Sequence, residues 1–107
     1  MKNNIKILAI AITLLAASSH IQAQDVMVDG KKLFAQAVPA CSICHVMSHA
    51  GSVGEVGPSL DELKPDAARV AKALRNGIGQ MPAFKSLTDA QVTLLSKYVA
   101  AATGAAK

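Results

Sequence analysis

Apolar residues recur at helical spacing in three stretches of the chain. Val26, Gly30, Leu33, Phe34 and Ala37 share one face, which predicts a first helix ended by Pro39, just ahead of the sequence CSICH. A second helix is expected from about Asp66 to Asn76, with Pro65 and Asp66 suited to its first turn and Gly77 to its C-terminal cap. Thr88 and Gln91 then stand in the capping-box relation, and Val92, Leu95, Val99 and Ala102 follow as the stripe of a third helix. Residues 46–60 carry three glycines and a proline and read as loop, as does NGIGQMPAFKS at 76–86. Strand alternation persists nowhere, and no repeat or linker interrupts the pattern. The expected class is a small all-α domain.

The first residues follow a different pattern. Lys2 and Lys6 precede an apolar run from Ile7 to Ala17, and SSHIQA leads to Ala23, a small residue suited to signal-peptidase cleavage. Residues 1–23 are therefore expected to be a signal peptide and 24–107 the working domain, exported and periplasmic. The run is short for a bilayer span, which leaves a transmembrane anchor as the lesser reading. No cysteine lies near the cut for a lipid anchor.

Of the 107 residues, 84 then remain, a length at which a core usually needs a disulfide, metal or cofactor to hold it. Phe34, Phe84 and Tyr98 are the only aromatic residues, so something other than side chains is expected to fill the interior. Losing Lys2 and Lys6 leaves nine basic residues against seven acidic, a formal +2. There is no dense basic stripe interleaved with aromatics, which argues against nucleic-acid binding.

CSICH places Cys41, Cys44 and His45 within five positions. A zinc site would need four ligands, and His49 is the nearest further donor, but adjacent Cys44 and His45 would have to turn sharply onto one ion. A thioredoxin-like redox pair would need a strand–helix setting, and a disulfide here would close too small a loop to stabilise much. Covalent haem attachment suits the spacing best. Two thiols three positions apart can add to the two vinyl groups of the macrocycle, and the next residue, His45, can offer its imidazole to the iron. Export fits, because such attachment occurs outside the cytoplasm. Zinc and thiol redox stand as the alternatives.

Haem then asks for a ligand or an open position on the far side of the iron. Met27, Met47, His49 and Met81 are the candidates. At about 3.5 Å per residue, Met47 cannot round the ring edge from His45 and His49 barely can, while Met27 lies on the first helix. Met81, in a Gly-rich loop and stiffened by Pro82, is the expected sixth ligand; the competing use of a methionine is core filling.

CSICH, QMPAF and the VGPSL of residues 56–60 together resemble a small bacterial class I cytochrome c of the c5, c6, c551 and c552 grouping. The resemblance runs from about Gly30 to Tyr98. It implies the cytochrome c fold, three main helices plus loops around one covalent haem c. It further implies that the Pro58 carbonyl accepts a hydrogen bond from His45, that Leu60 packs on the haem, and that the first and last helices cross at Gly30, Phe34 and Tyr98. Departures are the AVPA ahead of Cys41 and the lack of the family's tryptophan near the propionates, whose contacts stay open.

With His45 and Met81 both bound, the iron has no vacant site for catalysis. The expected function is a non-enzymatic periplasmic shuttle, carrying single electrons between a dehydrogenase and a downstream acceptor such as a terminal oxidase. The alternative is a haem c subunit bound tightly to a dehydrogenase, for example a sulfite-oxidising one. Val38, Pro39, Met47, Ile78, Pro82 and Ala83 are expected to rim the haem edge, with Lys64, Lys72, Arg75 and Lys85 around them. Arg69, Lys72 and Arg75 could also be an ordinary solvated helix face.

Overall fold

Helical backbone over residues 22–36 (α1) opens the computed structural model, which describes residues 22–105. The expected signal peptide thus lies outside the described residues except for its last two positions. α1 ends before Pro39, although the Ala37 N–H still reaches the Leu33 carbonyl at 2.9 Å. A proline disfavours helical backbone in the residue before it, so Val38 already leaves the helix. Phe34 and Ala37 point into the core, and Gly30 is buried.

Two single-turn helices, α2 (Cys41–Cys44) and α3 (Leu60–Leu63), bracket the segment expected to be loop. Between them a small antiparallel hairpin forms from β1 (Val46–Met47) and β2 (Ser52–Val53), with Val46 opposite Val53 and Met47 opposite Ser52. Its connection is a 3-10 turn, Ser48–Ala50, closed by Gly51 in the left-handed region. Strands of two residues are too short to leave an alternating pattern in the sequence. Asp61 holds the turn from outside, accepting from the Ser48 N–H at 2.8 Å and its hydroxyl at 2.7 Å.

The other two main helices are α4 (Ala67–Asn76) and α5 (Asp89–Thr103). Asp66 caps α4 by accepting from the Arg69 N–H at 2.7 Å, satisfying one of the donors every helix start leaves free. The capping box of α5 is complete: Thr88 Oγ1 accepts from the Gln91 N–H at 3.2 Å, and Gln91 Oε1 from the Thr88 N–H at 2.9 Å. α5 is buried on more than its expected stripe, since Ser96, Tyr98, Ala100 and Thr103 join Val92, Leu95 and Val99, while Ala102 is half-buried. The hydroxyls of Ser96 and Thr103 enter at little cost because each donates to the carbonyl four residues back, at 2.6 and 2.8 Å.

α4 packs along α5, and α1 crosses α5 at Gly30. A side chain at Gly30 would overlap Tyr98 Cβ, so the crossing requires glycine. Phe34 meets Tyr98 edge to face, with centroids 6.1 Å apart. Met47, expected on the surface rim, is instead fully buried in this core. The hairpin folds it inward against the helices, so it rims nothing.

Candidate functional site

The turn that carries the motif is built so that its reactive groups face one space. Cys41 and Cys44 are three residues apart on α2, the spacing that stacks side chains on one helix face. The His45 N–H closes the turn on the Cys41 carbonyl at 3.0 Å. Cys41, Cys44 and His45 all line a cavity of about 590 Å³. Neither cysteine is in a disulfide. Burial pushes the Cys41 thiol up to about 11, which keeps it protonated and unlike the thiolate of a redox or metal site. Among the described residues no three His, Cys, Asp or Glu side chains converge as a metal centre would require.

The segment after the hairpin fixes the imidazole. His45 Nδ1 donates to the Pro58 carbonyl at 2.8 Å, the contact expected from the resemblance. That bond sets the tautomer and turns the other ring nitrogen free. Gly57, which the sequence reading passed over, is what admits the ring: an added Cβ would lie 2.8 Å from His45 Nδ1. Its N–H is tied to the Cys44 carbonyl at 2.7 Å, so loop and motif turn move as one piece. A glycine beside the proline was the only signal of this in the sequence. Leu60, the first residue of α3, adds an apolar wall to the cavity.

Met81 reaches the same space from another direction. Ile78 and Met81 exchange both backbone hydrogen bonds, at 3.0 and 2.9 Å, in a tight turn after α4. Gly77 and Gly79 take positive φ there, and at Gly77 a side chain would also lie 2.8 Å from the Met81 carbonyl. The Phe84 N–H anchors the far end of the loop to the Leu74 carbonyl at 2.8 Å. Of the four residues weighed as far-side ligands, Met81 lines the cavity and the other three do not. Met47 is core, Met27 packs on the core from α1, and His49 is hydrogen-bonded to the Tyr98 hydroxyl at 2.9 Å. Burial pushes Tyr98 up to about 12, so its phenol stays protonated.

The structure thus brings Cys41, Cys44, His45, Pro58, Leu60 and Met81 around one cavity. Its other walls come from all four larger packing units, including Phe34, Leu74, Phe84, Leu95 and Val99. A mostly apolar space of this volume lies within the usual range for cofactor sites. Two thiols, an imidazole with its orientation fixed and a thioether are the donor set that a covalently held haem needs. The residues fit the group.

Residues 25–99 match the sequence family described as cytochrome C oxidase, cbb3-type, subunit III. Among solved structures, the chain is similar to the c-type cytochrome SorU from Sinorhizobium meliloti, at 47% identity and a TM-score of 0.73. The match covers 78% of this chain and 98% of that one. A search among curated proteins gave no match. A family pattern across most of the chain, and identity this high over nearly the whole of a solved relative, make the protein a member of the c-type cytochromes, a small monohaem class I cytochrome c with one covalent haem c.

Proposed function

We propose that this electron-transfer cytochrome works outside the cytoplasm as a mobile shuttle with a closed, His45/Met81-ligated iron and no catalytic role. The bound haem supplies a one-electron Fe(III)/Fe(II) couple. Cys41 and Cys44 hold it through thioethers. His45, oriented by Pro58, and Met81 occupy the two axial positions, while Leu60 and the core side chains keep water away. A neutral thioether and a dry wall both favour the lower charge of the reduced state, so these residues raise the potential. Keeping the same two ligands in both redox states limits rearrangement during transfer.

The observation that carries this reading is the place of Met81 on the cavity wall, where Met27, Met47 and His49 are absent. Met81→Ala should open a coordination position, lower the midpoint potential and admit carbon monoxide to the ferrous protein. Ready carbon monoxide binding by the unaltered protein at neutral pH would refute the closed iron and reopen catalysis or sensing.

Export with removal of residues 1–23, leaving 24–107, is part of the proposal. Residues 22–25 are exposed, and α1 first contacts the core at Val26, so a cut after Ala23 would cost no packing. Among the described residues no helix is long and apolar enough to cross a membrane. Its partners are redox proteins, with a dehydrogenase as donor and a terminal oxidase or another acceptor downstream; no nucleic-acid or membrane role is proposed.

One feature favours the bound-subunit alternative. Ile43, Val53 and Val56 stand 63%, 81% and 67% exposed near the motif turn, apolar surface that a permanent partner such as a sulfite-oxidising dehydrogenase would cover. Copurification with a large partner through gel filtration would support the subunit; a monomer that exchanges electrons in transient encounters supports the shuttle.

A further inference from the structure

The cavity wall carries charge in one place. Its titratable lining is Cys41, Cys44 and His45 at the motif turn, and Arg69 and Lys72 on α4. α1, α3, α5, the 56–60 segment and the methionine loop contribute none, and no carboxylate lines the space. Arg69, Lys72 and Asn76 are spaced to share one face of α4, and Gln80 continues the polar edge past its end. Among the described residues the one ion pair is Arg75 with Asp89 at 3.3 Å, and Arg75 does not line the cavity. Arg69 and Lys72 therefore stand as two like charges at an apolar wall with no acidic partner.

An anion between them would remove that repulsion. The group the cavity takes brings two carboxylates, on the side of the macrocycle away from its vinyl groups. Cys41 and Cys44 fix the vinyl side at α2, so the carboxylates must be met by another element. We propose that Arg69 and Lys72, assisted by Asn76 and Gln80, form the binding lip for the haem propionates. Arg69 presents a planar fork suited to a carboxylate, and Lys72 a point charge. Both side chains are exposed at the mouth and their stems lie against apolar wall, so they can reach outward without being desolvated. The lip is a positioning device: it holds the edge of the group opposite the thioethers and sets the charge beside the iron.

The inference rests on the haem reading, and its test separates the two. The holoprotein and its Arg69→Gln, Lys72→Gln and Arg75→Gln variants are compared by redox titration and by redox-difference infrared spectra in the carboxylate region. Each variant removes one positive charge, and Arg75 serves as the same-helix control off the cavity. A lip residue should lower the midpoint potential well beyond the control, because a lost cation beside the iron favours Fe(III). It should also displace the propionate carboxylate bands, and Arg69→Lys should restore the potential more fully than the bands. If Arg69→Gln and Lys72→Gln match Arg75→Gln in both measurements, the lip does not exist. A change only in the salt dependence of electron exchange would assign these cations to partner docking and overturn the proposal. Failure of the haem reading would look different, as protein with no covalently retained haem in any variant, Met81 and wild type included.

Discussion

Gly57→Ala tests whether the His45 orientation is set by the space beside it. An alanine Cβ at this position would lie 2.5 Å from His45 Cε1 and 2.8 Å from Nδ1. Ordinary carbon contacts need about 3.5–4.0 Å, so ring or loop must yield by about 1 Å. The hydrogen bond from Nδ1 to the Pro58 carbonyl is 2.8 Å long and would not survive such a shift. Overpacking costs about 1–3 kcal/mol and a lost hydrogen bond about 0.5–1.5 kcal/mol. The sum is about 2–4 kcal/mol, or roughly 10–30 °C in Tm for a domain this small. Without its carbonyl partner the imidazole is a poorer donor, so the midpoint potential should rise. Thermal melting followed at the Soret band and a redox titration read the two effects. Gly51→Ala is the control: Gly51 has φ +66 but nothing within 4 Å of an added Cβ, so it carries only backbone strain of about 1–2 kcal/mol. A Gly57→Ala protein that melts within a few degrees of wild type with an unshifted potential would refute the argument.

Gly30→Ala should destabilise by about 1–3 kcal/mol by forcing α1 off Tyr98, although alanine is the better helix former by about 1 kcal/mol; a higher denaturation midpoint would show that the crossing tolerates a side chain. Hydrogen bonds from the Ser48 hydroxyl and N–H hold Asp61 below its usual 3.8, so its contribution to stability is complete above that pH and lost as pH falls through the lower folded value. Acid unfolding of Asp61→Asn should accordingly be less steep below about pH 4, and parallel curves would remove Asp61 from the account. Cys41→Ala with Cys44→Ala should leave haem that extracts into acidic organic solvent and little folded protein, since the cavity loses its filling; mass spectrometry of the wild type should show peptide plus one haem.

Local chemistry was legible. The caps of α4 and α5, the glycine turns around Met81 and the CSICH spacing each depend on residues a few positions apart, whose geometry the backbone imposes almost alone. The Pro58 contact was reached only through resemblance, because nothing in the chain itself says which carbonyl a ring 13 residues away will meet.

Elsewhere the partners are distant, and composition was misleading. Residues 46–53 read as loop, yet they form a hairpin, because Asp61 holds Ser48 and the core takes Met47. His49 was weighed as a ligand and instead meets Tyr98, 49 positions on. Arg69 and Lys72 looked like any charged helix face until α4 was packed beside the cavity. The sequence by itself determined the helices, the attachment chemistry and the loop that presents Met81. Which groups surround the cavity was decided by tertiary packing, because burial and charge environment belong to a three-dimensional neighbourhood that spacing along a chain does not encode.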